Sequence, residues 1–405
     1  MKRKLKRNLN LLLLSLFGIG NILGAGIYVI SGEVGRIAGM QAPLSFLLAS
    51  FVALISALTY SEISSRYPVS SGEAAYVHRA FGSKNLGMLV GFSIAIAGMV
   101  SASAITRGFA GYFLEIFPIS ENVAMVGLLL VLGGVALWGI KEAAIGASIL
   151  TIIEIVGLLI IIVVGRESIG ELPLKAEEIF SLGSENASLE NFSVVFLASF
   201  LAFYAFIGFE DMVNIAEEVK EPEKNMPRAI IISVLTASVL YFFVVYVVVT
   251  TLTSEELSNT KAPLAMVYER ITDQNPLAIT LIASFAVVNG ALFQIVMASR
   301  IFYGMSTEGW LPGFLSKTSV KTGTPVMITV SVTLTIAVLA LFFPVVTLAK
   351  FVSFIVLAVF ILIHLSLLKL KKENPHPKGI TTYPVFIPYL GVVICSLLLL
   401  VEILY

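Results

Sequence analysis

Cysteine is almost missing from this chain: Cys395 is the only one, so no intrachain disulfide can form. Histidine is nearly as scarce, and His78, His364 and His376 lie too far apart in sequence to mark a local metal site. No Cys/His metal spacing, GxxxxGK[ST] phosphate loop or GxSxG elbow occurs, so the chain carries no visible apparatus for catalysis or ATP hydrolysis and reads as a non-enzyme. Charge is sparse as well. Charged residues make up 13% of the chain and cancel to a formal net charge of zero, which leaves no global field to attract nucleic acid or an acidic partner.

What fills the chain instead is apolar. It is 58% hydrophobic with a mean hydropathy of +0.96, a composition that places it in the lipid bilayer as an all-α integral membrane protein. Apolar runs of about 20 residues predict about eleven spans, near 11–32, 43–62, 86–117, 122–138, 143–165, 192–216, 227–252, 276–306, 325–343, 345–370 and 385–404. The eighth is long enough to continue past the bilayer. Residues 1–405 read as a single membrane domain.

Basic residues set the orientation. Lys2, Arg3, Lys4, Lys6 and Arg7 precede the first span, which places the N-terminus in the cytoplasm of a cell-membrane protein. With alternating spans, Arg66, Arg79, Lys141, Lys224, Arg228, Arg300, Lys321 and Lys371 fall on the same side, while the opposite side holds few basic residues, such as Arg36 and Arg270. An odd number of spans puts the C-terminus outside. The basic start resembles a signal peptide, but no small-residue cleavage site follows it, so the run is read as retained helix one.

The first span is interrupted where a membrane helix should be least so. Gly24, Ala25 and Gly26 lie at its middle, and glycine is poor in a helix interior. A backbone opened within a bilayer must be buried in protein or line a cavity, so the break marks a candidate binding site. The sixth span, FLASFLAFYAFIGFEDMVNIAEE, carries a second break at Gly208, followed by Glu210 and Asp211, acids that must face protein or water. The two breaks run antiparallel, as an inverted repeat of five helices requires, with 8–165 repeated as 192–370 and 385–404 left as an additional helix.

Chemistry follows from that geometry. Helix one's inner half ends in free carbonyls near Ile22, and its outer half begins with N–H groups at Ala25, Gly26 and Ile27, a positive dipole end that suits a carboxylate. Carbonyls at Tyr204, Ala205 and Ile207 suit an ammonium group. One carboxylate site beside one ammonium site describes an α-amino acid. The competing reading is that the glycines merely let helices pack closely.

Four motifs in order resemble those of the amino acid permeases of the amino acid/polyamine/organocation superfamily: GIGNILGAGIY at 18–28, YSEISSRYPVSSGEAAY at 60–76, AEEVKEPEKNMPRAI at 216–230 and SRIFYGMSTEGWLP at 299–312. The resemblance implies a five-plus-five inverted-repeat (LeuT-type) transporter fold with helices 1 and 6 unwound at mid-membrane. It implies that Ala25, Gly26 and Ile27 donate to a substrate carboxylate, that Ile22, Tyr204, Ala205 and Ile207 offer carbonyls to its amine, and that the Tyr204 ring forms an outer gate. The pocket is expected to be walled by Ala25, Tyr204, Phe206 and Ile207, with Met99, Ser103 and Ser353 as further candidates. No acid is plainly aimed at a substrate side chain, which favours neutral amino acids. The functional expectation is secondary active transport by alternating access, with proton-coupled symport or exchange. A permease-like receptor or membrane subunit that binds without net transport is the alternative.

Glu154, in ILTIIEIVGLLIII at the centre of the fifth span, departs from the resemblance, because many such permeases carry lysine there. An ionised side chain at that depth costs about 2.5–3.5 kcal/mol on insertion scales. Three roles stay open: a proton carrier, a Na⁺ ligand, and a structural glutamate for which Arg107 in helix three is a candidate partner. H⁺ or Na⁺ is thus the expected coupling ion, with no other cofactor. Glu62, Glu73, Glu217 and Glu218 with Arg66, Arg228 and Arg300 are candidates for inner gating pairs, against a default of solvated loop charges. Lys350 is expected to snorkel.

Overall fold

Where a helix starts in this chain, a local acceptor or a proline usually explains it. The Asn10 side chain accepts from the Leu13 amide at 2.9 Å to open α1 (Leu11–Leu23). α2 (Ile27–Ala38) follows after Gly26, and α3 (Ala42–Arg66) begins with Pro43 in its first turn, where a missing N–H costs nothing. α4 (Gly72–Phe81) precedes α5 (Lys84–Leu114), whose Ser83 cap accepts from Leu86 at 3.2 Å. α6 (Glu121–Trp138), α7 (Ala143–Val164) and the short α8 (Arg166–Gly170) and α9 (Leu172–Phe180) come next. α10 (Leu189–Phe203) gives way to two 3₁₀ turns, Tyr204–Phe206 and Glu210–Glu218, before α11 (Pro222–Thr251). The chain closes with α12 (Ser254–Asn259), α13 (Pro263–Thr272), α14 (Leu277–Thr307), α15 (Val326–Phe342), α16 (Val345–Glu373) and α17 (Phe386–Leu404).

These elements come from a computed structural model that describes residues 7, 9–24, 26–69, 72–138, 143–180, 189–307, 309–319 and 324–404. Ala25, Lys2, Arg3, Lys4, Lys6, Lys141 and Lys321 lie outside the described residues, as do Ser70, Ser71 and Glu308 of the motifs. Among the described residues regular structure is helical, apart from one isolated β-bridge between Leu9 and Val219. Among the described residues, seven stretches are long and apolar enough to cross a membrane, including Ile27–Arg66, which joins α2 to α3, and Ser193–Glu218. Four apolar helices are shorter: Leu11–Leu23, Glu121–Leu137, Ile149–Val164 and Val326–Phe342. The first of these is short because it stops at the Gly24–Gly26 break.

The packing separates an inner set of helices from an outer one. α3 packs on α11 and α5 on α14, with α1 lodged against α7 and α11. The outer helices α6, α15 and α17 turn Leu130, Leu334 and Leu397 outward, which a bilayer tolerates and water does not. The bridge from Leu9 to Val219 ties the start of the chain to the end of the Glu210–Glu218 turn. That side of the molecule is called the N-terminal face below.

Three charge expectations change here. Glu62 is buried and bound to Arg66 at 2.6 Å and to Lys371 at 2.7 Å, and it accepts from the Tyr383 amide at 2.8 Å. It is a buried clamp between α3, α16 and the segment before α17, because α16 runs long enough to bring Lys371 back over α3. Arg107 is not a partner of Glu154; it pairs with Glu121 at 3.4 Å and donates to the Ala340 carbonyl at 2.6 Å, because α5 carries it toward α6 and α15. Lys350 binds Glu402 on α17 at 2.8 Å rather than reaching for water.

Candidate functional site

The two interrupted segments meet. A Cβ built on Gly26 would lie 2.9 Å from the Ala205 carbonyl carbon and closer still to its Cα, so only glycine lets the two backbones approach this far. Gly208 sits at φ +128°, a conformation that L side chains rarely adopt, and a Cβ there would lie 2.7 Å from the Asn21 carbonyl oxygen. Each break is therefore seated against the other, with glycine at both contact points.

Around this junction the backbone groups find polar partners from other helices. The Tyr241 hydroxyl of α11 reaches the Ile22 carbonyl at 2.8 Å and the Ala205 carbonyl at 3.0 Å. The Gly24 amide closes α1 on the Gly20 carbonyl at 2.9 Å. Gly26 and Ile27 stand at the start of α2, where a helix leaves its first amides without intrahelical acceptors. Asn21 donates to the Gly208 carbonyl at 2.6 Å and to Asp211 at 3.1 Å; Gln294 of α14 donates to the same Asp211 oxygen at 3.1 Å, and the Gly208 amide donates to Glu210 at 2.8 Å. Both acids of the sixth span thus face protein donors.

Tyr204 is buried, its hydroxyl 3.3 Å from the Ser101 hydroxyl on α5. The Phe206 ring turns away from that side, onto Tyr241 and Phe46 with centroids 5.1 and 6.4 Å apart. Ile207 lines a small cavity with Ile94, Ser101, Gln294 and Val356 that has room for about 10 Å³, the space of a single water. Of the further wall candidates, the Ser103 hydroxyl donates to the Met99 and Ile336 carbonyls, and Ser353 is buried with its hydroxyl unpartnered among the described residues.

Glu154 lies apart from the junction. One of its oxygens accepts from Asn289 of α14 at 3.4 Å, its backbone carbonyl accepts from the Tyr28 hydroxyl of α2 at 3.1 Å, and the other carboxyl oxygen has no partner among the described residues. It touches both the second half of the first interrupted segment and α14.

The small cavity shares Ile94 with a vestibule of 430 Å³ on the N-terminal face, lined by Glu73, His78, Asn214, Arg300 and Trp310 among others. It shares no lining residue with the clefts near Glu255 and Arg107 toward the opposite face. Sequence reading missed Tyr241, Asn21, Gln294 and Asn289. Each is a polar side chain inside an apolar run, which is the only signal it leaves.

Comparison with known proteins gives this arrangement a context. The chain is 28% identical to a branched-chain amino acid permease of Bacillus subtilis, across 98% of this chain and 89% of that protein. It is 27% identical to a methylthioribose transporter of the same organism, across 96% and 87%, and 28% identical to a vacuolar cationic amino acid transporter of Arabidopsis thaliana, across 92% and 64%. The substrates in these relatives' names differ at nearly equal identity, so likeness alone does not choose among them. A model of the amino acid permease family matches residues 9–405, and the chain, a multi-pass membrane protein, belongs to that family.

Proposed function

We propose that this chain is a secondary transporter of neutral, apolar α-amino acids that works by alternating access on a five-plus-five inverted repeat of helices, with the eleventh left over. The contact pattern supports the repeat. If α3, α5, α6 and α7 correspond to α11, α14, α15 and α16, then α1 on α11 has its counterpart in α10 on α3, α5 on α15 in α14 on α6, and α5 on α16 in α14 on α7. The α3–α11 and α5–α14 contacts map onto themselves, as they must about a two-fold axis.

The observation that carries the substrate reading is the Gly26–Ala205 junction. α2 offers amides to a carboxylate at its positive end, while the Ile22 and Ala205 carbonyls converge on one point, now held by the Tyr241 hydroxyl. Each carbonyl has a second lone pair for an ammonium donor. The neutral side chain follows from the cavity wall: Asp211 and Glu210 are engaged by Asn21, Gln294 and the Gly208 amide, and Ile94, Ala97, Ile207, Val352 and Val356 supply its apolar part. The link from this cavity to the vestibule, with the basic N-terminal segment, supports a state open toward the cytoplasm.

Coupling is assigned to Glu154, as a proton carrier. The partner of its carboxyl group, the Asn289 side-chain amide, is a donor rather than a cage of oxygens, which suits a group that gains and loses a proton better than a Na⁺ ligand. Because it touches α2 and α14, its protonation can bias the first interrupted segment. The test is a thermal-shift screen of the twenty amino acids on the purified chain, then uptake of each hit into proteoliposomes with separate pH and Na⁺ gradients. Stabilisation by apolar amino acids and pH-driven uptake support the proposal. Binding without uptake would make the chain a receptor.

A further inference from the structure

The vestibule contains two buried polar atoms that the fold leaves unsatisfied. Glu73, in the first turn of α4, is 3% exposed, and its Oε1 has no hydrogen-bond partner among the described residues. Asn214, from the Glu210–Glu218 turn, has a buried Nδ2 that is also unpartnered among the described residues. Both line the same 430 Å³ space, a volume within the range of small-molecule sites. They stand close together, since a Cβ on Gly72, the residue before Glu73, would lie 3.3 Å from the Asn214 Cγ.

One atom is an acceptor without a donor and the other a donor without an acceptor. Leaving either buried and unmade is costly, and more so for the carboxyl group. A ligand carrying an ammonium beside a carboxylate would satisfy both, and exposed Arg300 and His78 at the mouth favour the anionic end. We propose that the vestibule is a second binding site for an α-amino acid zwitterion, with its ammonium on Glu73 and its carboxylate on Asn214. Only the identity of the ligand rests on the transport reading, and Ile94, shared by vestibule and inner cavity, places the site on the route between the junction and the N-terminal face.

Burial pushes the Glu73 carboxyl up to about 8; the nearby charge of Asp211 adds to this, while its own backbone amide and the Tyr60 hydroxyl oppose it, the latter without closing a hydrogen bond on Oε1. Glu210, Tyr76, His78 and Arg300 are the other titratable or charged groups nearby. An ammonium therefore binds best once that proton leaves, so vestibular affinity should rise from pH 6.5 toward pH 8.5.

The test is calorimetric titration of L-leucine into the full-length purified chain at both pH values. The parent should bind two equivalents. Glu73→Gln should keep one and weaken the other at least ~10-fold, Gly26→Ala should weaken the complementary one, and only the Glu73-dependent equivalent should tighten with pH. If Glu73→Gln fails to fold, Asn214→Ala should give the same loss. A single equivalent, weakened by Gly26→Ala and untouched by Glu73→Gln or Asn214→Ala, would overturn the second site and leave the transport reading standing. A single equivalent that depends on Glu73 but not Gly26 would keep this site and sink the junction as the substrate site. No leucine binding at all would overturn both.

Discussion

Replacing Gly26 by alanine adds one methyl group at the contact between the two interrupted segments. That carbon would lie 2.9 Å from the Ala205 carbonyl carbon, against about 3.5–4.0 Å for an unstrained carbon contact. Because the Ala205 Cα would lie closer still, the backbones must part by more than about 1 Å, since the obstructing atoms cannot rotate aside. Overpacking of this kind costs about 1–3 kcal/mol, which corresponds to about 5- to 150-fold in affinity if the cost falls on the bound state. The assay is equilibrium binding of the best amino acid from the thermal-shift screen, with size-exclusion behaviour checking the fold. Gly134→Ala is the control, because nothing lies within 4 Å of a Cβ at that position on α6. Parent-like affinity in a folded Gly26→Ala protein would refute the reasoning, since the junction would then have no part in holding the substrate.

Tyr241→Phe should lower the thermal midpoint of the substrate-free protein, because the Ile22 and Ala205 carbonyls lose their shared donor at a cost of about 1–3 kcal/mol; an unchanged midpoint would remove Tyr241 from the account. Tyr204→Ala should weaken binding and slow occlusion, whereas Tyr204→Phe, which gives up only the 3.3 Å contact with Ser101, should do much less; equal damage in a binding assay would assign the role to the hydroxyl. Glu154→Gln should abolish uptake driven by a pH gradient while sparing substrate-for-substrate exchange, and full accumulation by the variant in proteoliposomes would leave the glutamate as structure. Between its ordinary value of 4.5 and about 8 the folded Glu73 holds a proton that the unfolded chain has released, so stability should fall as pH rises through that window. The parent's thermal midpoint relative to Glu73→Gln should thus be lower at pH 8.5 than at pH 5; an equal difference at both would contradict the burial argument.

The membrane class and the family were legible because they depend on composition and on contiguous motifs. Helix boundaries follow apolar runs and local caps such as Asn10 and Ser83, which a linear reading can find. The interruption from Leu23 to Ile27 and the 3₁₀ turns after Phe203 fall beside the glycines that stand out in the sequence. What a linear reading cannot supply is helix rotation. Asn21, Asp211 and Gln294 are each visible as polar residues in apolar surroundings, but their convergence depends on three helices packing in one register. For Glu62 the offered pair with Arg66 is present, but the default of a solvated charge fails for the same reason: only the return of α16 with Lys371 buries it. The Arg107 misreading has the opposite origin. An acid in the fifth span and a base in the third suggest a pair, while α5 carries the guanidinium toward Glu121 and the α15 carbonyls instead.

The central claim is that two interrupted helices form one amino acid site that opens alternately to each side of the membrane. Counterflow into proteoliposomes tests it most directly, with the purified chain alone, internal unlabelled L-leucine, external labelled L-leucine and no ion gradient. The account predicts transient accumulation of label by the parent, its persistence in Glu154→Gln, and a marked loss in Gly26→Ala. Saturable leucine binding by the parent with no counterflow would contradict it, because a site that binds without exchanging across the bilayer is a receptor's and not a transporter's.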